Sequence, residues 1–204
     1  MKKNIYNDFF DELINLFPSI NNYLNLKEYR HLSHLLENPY LEEHMQRQKT
    51  LFKKYLKKIL ESNQKNIYDK TLINICKTSL KFFEYDFDLI PINHQENSLI
   101  SIMELSSEHS SYIFNKKTDY INIIKKLQNL ECYTNSIILN MEKGIQKNIT
   151  LPKVIAVKLL EQFESFRKNK SYKNNNIKFK LDFDFNQTVE QYVLPSLNKI
   201  INFL

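Results

Sequence analysis

The chain has 204 residues, only one of them glycine, with 42% hydrophobic and 13% aromatic residues and a formal net charge of +6. That is apolar material enough for a folded core. It is too little glycine for a G-x-G-x-x-G or P-loop phosphate cradle, so nucleotide binding by those routes is excluded.

The N-terminal stretch MKKNIYNDFFDELINLF places Asp8, Asp11 and Glu12 where a secretory signal needs an unbroken apolar run. Nowhere does the chain hold the ~18 consecutive apolar residues of a membrane span. A soluble cytoplasmic protein with no membrane partner is expected. Phe9, Phe10, Leu13, Ile14 and Phe17 form an opening helical stripe, closed by Pro18. Asn38-Pro39 then introduces a long amphipathic helix with Leu41, Met45, Gln48, Phe52, Tyr55 and Ile59 on one face, widened by Leu51, Leu56 and Leu60. Asp69 is the expected cap of the next helix, whose inner face is read as Leu72, Ile75, Ser79 and Phe82.

Residues 86–97, DFDLIPINHQEN, break the pattern and read as a loop, followed by a short helix near 99–108. A long helix opened by Thr118 or Asp119 comes next, with Tyr120, Ile123, Ile124, Leu127, Leu130, Ile137, Ile138 and Met141 inward. Gly144 is read as its C-terminal stop, and Pro152 as the first-turn proline of a further helix that packs Val154, Val157, Leu160 and Phe163. The Asn- and Lys-rich stretch after 169 reads as an exposed loop. Residues 177–185, IKFKLDFDF, alternate apolar and charged, a strand pattern; with no second strand to pair, they are taken as an extended segment lying on the helices. A last helix runs from Thr188 to the end, bent at Pro195, with Tyr192, Leu197, Ile200, Ile201 and Leu204 inward. Its apolar ending, IINFL, reads as unfinished. The expected fold is therefore all-α, a multi-helix array: one helical domain over 1–168, a loop or extended segment over 169–187, and a C-terminal helix over 188–204 that belongs to the same domain.

No catalytic, cofactor-binding or metal-binding residue is assigned, and no cofactor is expected. His31 and His34 are three apart, whereas a zinc helix uses H-E-x-x-H, which does not occur. His44 follows Glu42 and Glu43, but adjacent positions on a helix do not converge. His94 and His109 stand alone. Acid pairs such as Glu42/Glu43 and Asp86/Asp88 are ordinary surface features. Cys76 and Cys132 lie in apolar-periodic segments without C-x-x-C spacing, so buried free thiols are expected. Basic residues are spread along the chain between acids, and the densest run, KKYLKK at 53–58, reads as a solvated helix face rather than a nucleic-acid site.

Several stretches taken together resemble the N-terminal half of the family catalogued as domain of unknown function eight-eight-five, large helical proteins regarded as zinc-metallopeptidase-like. They are DLIPINHQENSLISIMEL (88–105), the run 118–163 ending in ITLPKVIAVKLLEQF, residues 17–56, and VLPSLNKIINFL (193–204). The matching features are the Pro91–His94 loop, the aromatic-bearing helix Tyr120–Met141, Gly144, and the helix opening at Leu151–Lys153. The resemblance covers nearly the whole chain. It implies a zinc-dependent peptidase-like hydrolase for the full-length family, yet the family's His-Glu-x-x-Pro-Gly-His helix and its glutamate ligand have no counterpart here. The expectation is a truncated or split member: a non-catalytic N-terminal half whose partner is a second chain carrying the zinc site. The alternative is a stand-alone helical protein-interaction module, with a basic nucleic-acid-binding domain third.

Overall fold

A computed structural model describes residues 4–24, 26–62, 66–94, 97–108, 110, 112 and 114–204. Helices account for 71% of the described residues and none of them forms a strand, which makes the fold all-α. The chain groups into two compact units, Met1–Leu32 with Glu37–Asp88 and Ser33–Leu36 with Leu89–Leu204. The boundary at Asp88 falls inside the stretch 1–168 that the sequence reads as one helical domain. His109 lies outside the described residues.

Unit 1 contains α1 (Ile5–Leu16), α2 (Ile20–Leu24), a 3-10 segment (Lys27–Leu32), α3 (Glu42–Leu60) and α4 (Ile67–Glu84). Asn4 caps α1 by accepting from the Tyr6 amide. α3 needs no side-chain cap: Glu42 and Glu43 in its first turn and Lys57 and Lys58 in its last complement the helix dipole. Met45, Gln48, Leu51, Phe52, Tyr55 and Ile59 are its buried face, as the periodicity predicts, whereas Leu41 and Leu60, also expected on it, are 43% and 57% exposed. The cap of α4 is Asn66, three residues before the predicted Asp69. The Asn66 side chain accepts from the Asp69 amide and Asp69 returns the bond to the Asn66 amide, a reciprocal capping box. Phe9 of α1 meets Tyr55 of α3 edge-on at 5.2 Å, and Leu72 and Cys76 of α4 close the core around them.

The inner face of α4 differs from the expected one. Leu72 is buried as expected, but it is joined by Cys76, while Ile75 and Phe82 are 42% and 40% exposed. α4 carries two apolar stripes that adjoin at Leu72, and its packing on α1 and α3 selects the one that runs through Cys76.

Unit 2 contains α5 (Ser98–Met103), a 3-10 turn (Glu104–Ser106), α6 (Lys117–Leu127), α7 (Leu130–Gln146), α8 (Lys153–Asn169) and α9 (Phe185–Phe203). α9 is its central rod, packed against α6, α7 and α8 through Val189, Val193, Leu197 and Ile200. It begins three residues before the predicted Thr188 because Asp184 caps it, accepting from the Gln187 amide. Pro195 sits on the exposed face of this helix, where the carbonyl it leaves without an intrahelical donor can reach water.

Three further expectations change. The single helix predicted from 118 to 144 is two, broken at Gln128 and Asn129, so that both halves pack against α9. On α8 Phe163 is buried as expected, together with Leu159 and Phe166, while Val154 and Val157 are 61% and 45% exposed. The loop after 169 is only partly a surface loop. Tyr172 and Asn174 are buried, and Asn174 and Asn186 exchange backbone-to-side-chain hydrogen bonds of 2.9 and 3.0 Å. Residues 177–184 form neither helix nor strand and lie against α6: the Lys178 amide donates to the Tyr120 hydroxyl, and Phe179 meets that ring edge-on. Without a partner strand the alternating pattern has no ladder to join.

Gly144 is not a helix stop. It lies buried inside α7, which continues to Gln146, and the left-handed residue after the helix is Asn148, with φ 60°.

Candidate interaction surface

The described histidines serve structure and surface. His44 is half-buried: its Nε2 donates to the Leu16 carbonyl and its Nδ1 accepts from Gln48 Nε2, each at 3.0 Å, which defines the neutral ring. Gln48 also donates to the Pro39 carbonyl, tying the entry of α3 to the end of α1. Burial holds the His44 pKa below its ordinary value, against the opposing pull of the Leu16 carbonyl and of Glu37. The Nδ1 of His31 lies 3.0 Å from the Glu28 carbonyl, and His94 is exposed. Among the described residues no three His, Cys, Asp or Glu side chains converge as a metal site would require. Glu42 accepts from Gln46 on its own helix. The cysteines differ: Cys76 is buried, with its thiol pushed up to about 11 by that burial, whereas Cys132 is exposed, contrary to expectation.

The KKYLKK run does not act as one basic patch. Lys54 binds both carboxylate oxygens of Glu12 at 2.6 and 2.7 Å, and Tyr55 donates to the same carboxylate at 2.8 Å. Burial raises the Glu12 pKa, but the Lys54 and Tyr55 hydrogen bonds outweigh it and hold the carboxyl below its ordinary value. Lys58 lies over the Tyr55 ring, and Lys57 makes a long contact with Glu61 on α3's exposed side.

Two concavities belong to unit 2. A cleft of about 390 Å³ beside α8 has a mixed wall that includes Glu104, Lys158 and Glu161. The second, of about 160 Å³, is apolar. It is formed where the end of α7 (Met141, Ile145), the connection Ile149–Leu151 and the end of α9 (Phe203) meet Leu89. Its volume falls below the roughly 300 Å³ at which small-molecule sites begin, and it suits one or two apolar side chains instead. Ile145 on its rim is 55% exposed, and Lys147 and Lys153, both exposed, flank the lining connection in sequence. No sequence pattern marks this groove, because Leu89, the stretch from Ile145 to Leu151 and Phe203 come from three distant segments. The close backbone approach at Gly144 is what brings Leu89 and Ile149 to α7.

No family model matches the chain, and neither any curated protein nor any solved structure does.

Proposed function

We propose that the chain is a helical protein-interaction module that receives a partner segment in the apolar groove at the end of α7 and α9. The groove carries the reading: it is open, it has the volume of an anchoring side chain, and the half-exposed Ile145 stands on its rim. The exposed lysines that flank the lining connection in sequence, Lys147 and Lys153, favour by charge a peptide with one or two large apolar anchors next to Asp or Glu. Selection of displayed random peptides on the full chain tests this. Acidic peptides with an aliphatic or aromatic anchor should be enriched, and Ile145→Glu or Lys147→Glu should lose them. A chain that enriches no such peptides, or whose peptides bind the Ile145→Glu variant equally well, does not work this way.

A second reading takes its partner from the resemblance described above: a second chain that carries a His-Glu-x-x-Pro-Gly-His zinc site. It is favoured by the position of Leu151 in the groove wall, since Leu151–Lys153 is among the segments on which the resemblance rests. Under this reading the isolated chain binds no stoichiometric zinc and hydrolyses no peptide, and co-expression with the zinc-bearing chain restores both. Tight one-to-one zinc in the isolated chain would rule it out.

A further inference from the structure

Gln48 serves two acceptors with one amide. It is buried on α3, and its Nε2 donates both to the Pro39 carbonyl at 3.1 Å and to His44 Nδ1 at 3.0 Å. Both hydrogens of that nitrogen are therefore committed, and the arrangement holds only while Nδ1 carries no proton. On its other side the ring donates from Nε2 to the Leu16 carbonyl, and Phe17 meets it edge-on at 5.4 Å. The Pro39 carbonyl belongs to the turn that leads into α3. In that turn Asn38 accepts from the Tyr40 amide through its side chain and from the Leu41 amide through its carbonyl, at 3.2 and 3.3 Å. Over residues 37–41 the chain re-enters unit 1 after Ser33–Leu36, which belong to unit 2.

We propose that His44, Gln48 and the Pro39 carbonyl form an acid-sensitive latch: a proton taken from solvent at His44 Nδ1 turns the Gln48 amide over and frees the turn at 38–41, while α1 stays attached. A protonated Nδ1 is a donor facing two donors. Reversing the amide brings Gln48 Oε1 to it and restores that bond. The same reversal sets Oε1 against the Pro39 carbonyl, acceptor against acceptor, so the turn loses its tie to α3. The Nε2–H bond to the Leu16 carbonyl has the right polarity in both states and becomes charge-assisted in the acid one. The latch thus opens on one side only. Glu37 accepts from the Ser19 amide at 3.2 Å and from the Ser19 hydroxyl, and these bonds, which do not involve the imidazole, hold the near end of the turn. Burial opposes the proton most. The Leu16 carbonyl of α1, Glu37 of the connection and Glu43 of α3 favour it, and Arg47 of α3 opposes it. With that balance the latch is closed at neutral pH and opens below the ordinary imidazole value of 6.5.

Amide hydrogen exchange of the full chain, read by NMR and corrected for intrinsic rates, tests this between about pH 7.5 and 5.5. The Tyr40 and Leu41 amides should exchange roughly five-fold faster at the acid end, the scale of one lost hydrogen bond, with a midpoint that coincides with the titration of the His44 ring nitrogens. Leu51 and Phe52, in the core of α3, should keep their protection. His44→Gln, which takes up no proton, should abolish the acid response. Gln48→Met, which fills similar space without a donor, should leave the turn loose at both pH values. An acid response that survives His44→Gln, a Gln48→Met chain that still responds to acid, a turn indifferent to pH in the parent chain, or Leu51 and Phe52 loosening in step with it would each overturn the proposal. If Gln48→Met does not fold, the parent and His44→Gln measurements decide the matter by themselves.

Discussion

The backbone carbonyl of Ile149 stands 2.6 Å from where a Cβ on Gly144 would lie, and the Leu89 carbonyl stands 2.9 Å from it. The Ile149 amide donates to the Gly144 carbonyl at 2.8 Å, so the chain folds back onto the helix at the one residue that leaves room. Both obstacles are backbone atoms, which cannot swing aside as a flexible side chain would.

Gly144→Ala should therefore destabilise the protein although alanine is the better helix former. The helix-propensity gain of about 1 kcal/mol is set against overpacking of about 1–3 kcal/mol in an ordinary core, and more where rigid backbone must move. The expected net loss is about 1–3 kcal/mol, measured as a lowered urea midpoint. An unchanged or raised midpoint would show that the Leu89 and Ile149 segments move aside freely.

The α4 cap offers a cleaner number. Asn66 accepts from the Tyr68 and Asp69 amides at 2.8 and 3.0 Å, and Asp69 also receives the Tyr6 hydroxyl at 2.6 Å. Asn66→Ala should lose about 1 kcal/mol, and Asn66→Gly only a few tenths. Equal losses for the two, in denaturant titrations, would mean that the side-chain bonds contribute little.

His44 gives unit 1 a pH dependence of known sign. Its folded pKa is held below the ordinary 6.5 by burial, and Glu37, Glu43 and Arg47 are the charges that act on it. Below 6.5 the unfolded chain takes up a proton that the folded ring resists, so the unfolded state binds more protons and stability falls as the pH drops. Above 6.5 both states are neutral and the contribution is flat. Unfolding free energies measured between pH 8 and 5.5 should decline at the acid end, and His44→Gln should remove that part of the decline. A variant whose slope matches the parent's would assign the decline to other groups.

Thiol labelling separates the two cysteines. Cys132 is exposed, while Cys76 is buried with its thiol raised to about 11. A disulfide reagent at neutral pH should modify one thiol per folded chain promptly and the second only in denaturant. Rapid reaction of both in the native protein would place Cys76 in a region that opens readily.

The amino-acid sequence alone determined that this protein is helical and where most helices run. Apolar residues recur at three and four along nearly every segment, and a chain with one glycine has few sharp turns to make. It also determined the inner face of α3, from Met45 to Ile59, because that helix has a single apolar stripe. Tertiary structure decided the faces of α4 and α8, where two stripes compete. A lone helix gains equally from burying either, and only the neighbours that cover one of them, Phe9 and Tyr55 for α4 and α9 for α8, break the tie. It likewise decided the reason for Gly144 and the place of the groove. Both depend on Leu89 meeting the end of α7 across more than fifty residues of chain, a distance over which local periodicity carries no information.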